Sequence, residues 1–93
     1  NSRNINFRIT AYMTYTIIQK EVFGSTLFIK AIFSFEEENN QQITDRFPVS
    51  IVGFAGLTAE QRQEFFDTSI ANRGAMLLQQ IRDNVALNEL LNS

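Results

Sequence analysis

Cysteine, histidine and tryptophan are all absent from this 93-residue sequence. Without cysteine no disulfide can form, and without cysteine or histidine the usual zinc and iron sites cannot be built. The same absences remove the side chains that most often serve as nucleophile and general base in enzymes. We therefore expect no metal and no cofactor, and a protein that is not an enzyme.

Carboxylates are the remaining candidates for catalysis. Glu60 and Glu64 are four residues apart, which would place them on one face of a helix. A paired-carboxylate site is conceivable there, but a solvated helix surface is the simpler interpretation. The three consecutive glutamates at 36–38 fall in a predicted hairpin loop; a ligand site is the alternative there, but we expect a solvated turn. The four glycines form no phosphate-binding pattern.

Positive charge is sparse, with 8 Lys and Arg against 10 Asp and Glu and a net charge of −2. The basic residues are scattered along the chain: Arg3, Arg8, Lys20, Lys30, Arg46, Arg62, Arg73 and Arg82. A nucleic-acid surface needs a basic stripe, so we expect no nucleic-acid partner. No apolar run approaches the ~20 residues of a membrane span, so we expect no membrane span, and no signal-peptide pattern is visible. The absence of cysteine fits a reducing compartment, so we expect a cytoplasmic location.

Phenylalanine, in contrast, is abundant, with nine residues. A single domain of this length buries only roughly 60–65% of the surface that its unfolded chain exposes, so its stability is modest. Disulfides and Cys/His metal sites are excluded, which leaves self-association as a further source of stability. We therefore expect a homo-oligomer in which part of the aromatic surface lies at an interface.

The first half of the chain alternates apolar and polar residues, as strands with one buried face do. The first alternation predicts a strand over residues 5–19 with these inward positions: Ile5, Phe7, Ile9, Ala11, Met13, Tyr15 and Ile17. We expect a bulge at the apolar doublet Ile17-Ile18. A second strand is predicted over 26–35, and its odd residues are all apolar: Leu27, Ile29, Ala31, Phe33 and Phe35.

A third strand is predicted over 42–54, and its Pro48 lacks a backbone donor, so we expect this strand either to lie at a sheet edge or to start its pairing after the proline. Three consecutive strands with short connections form a meander. In the second strand the outward positions Phe28 and Ile32 are apolar, which indicates that something partly covers that face, either a helix or another subunit.

The second half has helical spacing. Thr58 and Gln61 form a Thr-x-x-Gln capping box, and we predict a short helix over 59–66, a break at Asp67-Thr68-Ser69, and a long helix over 70–90. Gly74 would cost about 1 kcal/mol in a helix interior, which is tolerable where the helix approaches another backbone closely. The fold class is therefore α+β: an antiparallel β-meander of three to four strands, then a short and a long helix packed on the sheet, in a single domain covering 1–93.

Residues 72–85, which read Asn-Arg-Gly-Ala-Met-Leu-Leu-Gln-Gln-Ile-Arg-Asp-Asn-Val, resemble the helix of the SecB-like protein-export chaperones. The positions that match the family pattern are Asn72, Ala75, Leu77, Ile81, Arg82 and Val85, with Asp83 in place of Glu. Segments 47–54 and 58–65 resemble the last strand and the acidic short helix of that family. Gly74 and the Leu-Gln-Gln at 78–80 stand where the family has Pro and Phe-Pro-Tyr.

The resemblance implies a non-catalytic chaperone that forms dimers or tetramers and holds unfolded polypeptides on apolar surface. The residues expected to bind such clients are Tyr12, Phe28, Ile32 and Phe54; the alternative is that they pack under the helices. The residues expected in helix packing or the oligomer interface are Gly74, Leu77, Leu78, Ile81 and Val85. A second hypothesis is an interaction, assembly or inhibitor module that binds one specific protein partner and has no general chaperone activity.

Overall fold

A computed structural model of the chain describes residues 7–10 and 13–93, which form an antiparallel sheet and one long helix. The elements are β1 (Phe7–Thr10), β2 (Met13–Phe23), β3 (Thr26–Phe35), β4 (Gln41–Ser50) and α1 (Ala59–Leu91). Short 3-10 turns cover Glu36–Glu38 and Phe54–Gly56. Each strand pairs with the next one in the order β1-β2-β3-β4. The predicted α+β class with an antiparallel meander before the helix is confirmed.

The strand predicted over 5–19 is divided between β1 and β2, which run antiparallel to each other. Residues 5, 6, 11 and 12 of the predicted strand lie outside the described ranges. β2 extends beyond the predicted end at residue 19 because its pairing with β3 continues to Phe23, directly before a two-residue connection. Gly24 opens this connection with φ of +60°, the left-handed conformation that such tight hairpins require.

The predicted slip at the Ile17-Ile18 doublet is confirmed, because the β2–β3 register shifts between Ile17 and Gln19. Pro48 also lies where its missing donor predicts. Within the described sheet, β4 pairs with β3 on one side only, so Pro48 occupies an edge strand.

β4 ends at Ser50, four residues before the predicted end of the third strand at 54. The chain then turns away from the sheet at Gly53, whose φ of +84° is left-handed. The Ile51 amide nitrogen still donates to the Ser25 carbonyl oxygen at 2.9 Å, which closes the end of the β3–β4 hairpin.

The predicted break between a short and a long helix is wrong, because α1 is continuous from residue 59 to 91. Two side chains expected to break the helix instead bond within it. The Asp67 carboxylate accepts from Gln63 Nε2 at 2.8 Å, and the Ser69 hydroxyl donates to the Phe65 carbonyl oxygen at 2.9 Å. Without a proline or glycine in this segment, the backbone has no reason to leave the helix.

The predicted capping box at the start of α1 is confirmed. Thr58 Oγ1 accepts from the Gln61 amide nitrogen at 3.1 Å, and Gln61 Oε1 accepts from the Thr58 amide nitrogen at 2.9 Å. These two bonds satisfy backbone donors that the first turn would otherwise leave without a partner.

The core lies between α1 and one face of the sheet. Its buried side chains are Met13, Tyr15, Ile29, Ala31, Phe33, Phe35, Phe47, Val49, Ile70, Leu77 and Ile81. Gly74 lies in the same helical stripe, and a Cβ there would be 2.7 Å from Met13 Sδ and 3.3 Å from Phe33 Cε2. The close approach expected at Gly74 is therefore to side chains of β2 and β3, not to a backbone.

α1 is longer than the sheet beneath it. Its 33 residues span about 50 Å, whereas a ten-residue strand spans about 33 Å. Arg82 lies beside the β3–β4 turn, where its guanidinium nitrogens are 3.4 Å from Glu37 Oε1 and 3.7 Å from Glu38 Oε2. From residue 82 to 91, here called the helix tip, every residue is exposed.

Candidate binding surface

The sheet face opposite α1 is the first candidate for binding, and we call it the outer face. In β3 the odd residues from Ile29 to Phe35 are almost fully buried, so alternation directs the even residues away from the helix. The register places side chains of β2 and β4 beside them. The described outer face comprises Thr14, Thr16, Gln19, Glu21, Phe23, Thr26, Phe28, Lys30, Ile32, Ser34, Gln42, Thr44, Arg46, Pro48 and Ser50.

Phe28 lies at the centre of an aromatic cluster on this face. Its ring meets the Phe23 ring edge to face, with the centroids 5.8 Å apart, and the Arg46 guanidinium carbon lies 4.6 Å from the Phe28 centroid. Pro48 is its register partner on β4. Phe28 is therefore half-buried by neighbours on the same face, not by α1.

Charged side chains flank the cluster. Lys30 and Arg46 are direct register partners on neighbouring strands, an arrangement that places two cations side by side. Arg46 lies 4.0 Å from Glu21, whose other carboxylate contact is a 3.0 Å bond from Gln19 Nε2. No described carboxylate lies within ion-pairing distance of Lys30. The outer face is thus locally positive on a chain of net charge −2.

Two of the four predicted client-binding residues lie on the outer face. Phe28 and Ile32 are both half-buried there, on the side away from α1, so they do not pack under the helix. Tyr12 lies outside the described residues. Phe54 is not brought to this surface, because the chain turns after Ser50 and carries it to the start of α1.

Phe54 packs instead against the first turns of the helix. Its ring lies edge to face with Phe65, with a centroid separation of 5.6 Å, and its carbonyl oxygen accepts from Arg62 Nε at 2.8 Å. Phe54 therefore lies apart from Phe28 and Ile32 and contacts the helix, as the alternative interpretation expected; a role of Phe54 in client binding stays a prediction.

The sequence prediction missed Phe23, the most exposed aromatic side chain of the outer face, which is 58% exposed. The alternation of β2 places odd residues toward the core before the bulge, as Met13 and Tyr15 show. The extra residue at the bulge reverses this order, so Glu21 and Phe23 face outward. The Ile17-Ile18 doublet was the signal, but the predicted strand ended at residue 19, before Phe23.

The residues predicted for helix packing divide at the end of the sheet. Gly74, Leu77 and Ile81 are buried in the core, and Leu78 is half-buried against it. Val85 does not pack on the sheet: it is 48% exposed because it lies in the helix tip. The tip also exposes Leu87, Leu90 and Leu91, the last two by 70% and 68%. A role of this set in an oligomer interface stays a prediction.

Most of the carboxylates considered above are exposed in this fold. Glu60 and Glu64 lie on exposed turns of α1, whereas Glu37 is exposed and Glu38 half-buried, and both pair with Arg82. Over residues 7–10 and 13–93, no group of three or more acidic side chains could hold a metal ion.

The outer face can therefore bind by apolar contact, by stacking on Phe23 and Phe28, and by ion pairing with Lys30 and Arg46. In the described part of the chain, no helix combines the length and the apolar character that a membrane crossing requires. Comparison of the whole chain with models of protein families, with curated proteins and with solved structures gives no match to any of them.

Proposed function

We propose that this protein is a non-catalytic, SecB-like chaperone that holds unfolded polypeptide segments against its outer face, and that it works in the cytoplasm. One observation carries the proposal: Phe23 and Phe28 form an aromatic cluster on a sheet face that α1 does not cover. Aromatic side chains exposed on a rigid strand can bury large apolar area in a ligand at little cost in conformational entropy.

The surroundings of the cluster support a ligand that varies in sequence. Threonine and serine side chains fill much of the remaining outer face, as at Thr16, Thr26 and Thr44. Their hydroxyls donate and accept hydrogen bonds, so they accommodate different neighbours. A flat surface of this kind favours an extended chain over a small molecule, which requires a concave pocket.

Suppression of aggregation tests the proposal. A chemically denatured reporter protein is diluted into buffer with a stoichiometric amount of this protein, without nucleotide, and light scattering is recorded. We expect scattering to fall, and Phe23→Ser/Phe28→Ser to restore it. Unchanged scattering at excess wild-type protein would remove the chaperone proposal.

Val22→Ser/Val52→Ser provides a matched control. Val22 neighbours Phe23 but faces the α1 side of the sheet, and Val52 lies in the turn after β4; they are 61% and 75% exposed. This variant loses exposed apolar area without touching the outer face. If it lost activity as completely as the phenylalanine variant, general surface hydrophobicity would explain the effect.

The helix tip favours a second candidate function, the module that binds one specific protein partner. Leu87, Leu90 and Leu91 expose apolar surface on a regular helix, a form that partner proteins bind in grooves. The same surface would serve a homo-oligomer, either dimer or tetramer. A pulldown from native host extract that returns one stoichiometric partner, without suppression of reporter aggregation, would favour this function over the chaperone.

A further inference from the structure

We infer that the outer face selects extended segments in which a carboxylate lies between two apolar side chains, each two residues away. The inference rests on the proposed function and names its substrate class. The ligand is an unfolded polypeptide with the pattern apolar-x-acid-x-apolar, where the acid is Asp or Glu.

The first argument is the order of side chains along β3 on the outer face. We call each β3 side chain together with its register partners on β2 and β4 a row. Along β3, Ile32, Lys30 and Phe28 follow one another at every second residue on the same face. Their spacing is about 6.6 Å per step, the repeat of alternate side chains in any extended chain. An extended ligand that lies along β3 therefore presents its own alternate side chains at the same spacing.

The second argument is charge. The central row places Lys30 beside Arg46, and like charges directly opposite each other destabilise a strand pair. The Glu21 carboxylate lies 4.0 Å from Arg46 and also accepts a hydrogen bond from Gln19, whereas Lys30 has no described carboxylate within ion-pairing distance. A carboxylate from the ligand at this row would satisfy both cations, while a ligand lysine there would be repelled.

The third argument concerns the rows on either side, in which β3 contributes an apolar side chain. One row combines Phe28 with Pro48 and with Glu21, whose carboxylate lies 4.0 Å from Arg46, and the other combines Ile32 with Thr16 and Thr44. Ligand residues two positions before and after the carboxylate therefore meet apolar surface. Single-stranded nucleic acid fits less well, because its binding grooves follow the backbone with several cations and this surface offers two beside Glu21.

Fluorescence anisotropy with short, flexible, labelled peptides tests the inference. One peptide carries Leu-Ser-Asp-Ser-Phe; in others, Asn or Lys replaces Asp, or Asp moves by one residue. We expect the Asp peptide to bind about two- to fivefold more tightly than the Asn peptide, the range of one exposed ion pair. The preference should vanish at about 0.5 M salt.

Two lysine variants locate the effect. Lys30→Gln should abolish the difference between the Asp and Asn peptides. Lys20→Gln makes the same change in net charge at an exposed residue whose register partner, Ile29, lies on the α1 side, and it should keep the difference. Both variants replace exposed or half-exposed side chains, and their unchanged thermal unfolding will show that they are folded.

The outcomes separate the inference from the proposed function. Equal binding of the Asp, Asn and Lys peptides, or an equal effect of Lys20→Gln, would overturn the inference and leave the proposed function standing. Binding of an oligonucleotide in preference to the peptides, lost in Lys30→Gln, would overturn it too. If no peptide binds, the neutral one included, the proposed function itself fails.

Discussion

Replacement of Gly74 by alanine should destabilise the protein, although alanine is the better helix former. The substitution gains about 1 kcal/mol of helix propensity. The new Cβ, however, would lie 2.7 Å from Met13 Sδ, 3.1 Å from Met13 Cε and 3.3 Å from Phe33 Cε2. The first distance is below any stable van der Waals contact, so Met13 must move.

The surroundings of Met13 decide the magnitude. The side chain is 4% exposed, so its thioether has no solvent to move into and must displace other core side chains. Inserting a methyl group into a packed core costs about 1–3 kcal/mol. After subtraction of the helix gain we expect a net loss of about 1 kcal/mol, which for a domain of this size lowers the melting temperature by about 4–8 °C.

Urea unfolding followed by circular dichroism, at one low protein concentration, measures this loss. Gly56→Ala is the matched control, because Gly56 has no left-handed φ and no atom within 4 Å of its Cβ position. It should be neutral or stabilise by up to about 1 kcal/mol. Stabilisation by Gly74→Ala equal to that by Gly56→Ala would refute the packing argument.

A double-mutant cycle tests the mechanism directly. Met13→Val removes the sulfur and the terminal methyl group that the new Cβ would meet. In that background Gly74→Ala should lose its penalty and approach the roughly 1 kcal/mol gain of helix propensity. The coupling between the two sites would then be about 2 kcal/mol, within the range for side chains in contact.

Three further predictions concern other parts of the fold. Burial raises the pKa of the Tyr15 hydroxyl above its usual value of about 10, so this group contributes stability below pH ~10 that is lost as the pH rises through the raised pKa. Urea titrations across this pH range should show that the free energy of unfolding falls less with rising pH in Tyr15→Phe than in the wild type. An identical pH dependence in the two proteins would contradict the assignment. Arg73 binds the Asp45 carboxylate with two guanidinium nitrogens, one at 3.2 Å, so Arg73→Lys should cost about 1 kcal/mol in urea unfolding. The cost should be smaller once Asp45 is Asn, because a neutral acceptor and the Phe47 ring then remain as partners. Leu90→Gln/Leu91→Gln should change the free energy of unfolding of the monomer by less than about 0.5 kcal/mol, because both side chains are exposed. The same variant should have a lower mass in light scattering after size exclusion. A larger loss of stability at low protein concentration would show that the helix tip packs within one chain.

The strands and the core stripe of the helix could be predicted because each depends on local pattern. Alternation gave the inward residues of β3, and spacing of three and four gave Leu77 and Ile81. The capping box could also be read directly, because it needs only two residues, Thr58 and Gln61. Such features arise from neighbours within a few residues, which a sequence displays.

The errors came from features that depend on the length of the helix relative to the sheet and on where each side chain finds its contacts in the folded chain. Asp67 and Ser69 resemble a helix break, but their side chains find partners one turn away and the helix continues. Val85 continues the helical periodicity, yet the sheet ends before it. Phe54 follows a strand pattern, but the turn at Gly53 takes it to another surface. Placing such residues requires the three-dimensional extent of the sheet.

The bulge in β2 has a consequence for how variants of this protein would behave. Ile18 is the extra residue of the bulge, and its presence decides that Phe23, and not Val22, lies on the outer face. Deleting Ile18 would close the bulge and let Gln19 follow Ile17 in regular alternation, so Glu21 and Phe23 would stay on the outer face. A regular register that paired Ile18 with β3 would instead turn Lys20 and Val22 outward and Phe23 toward α1, so the aromatic cluster depends on Ile18 staying out of the ladder.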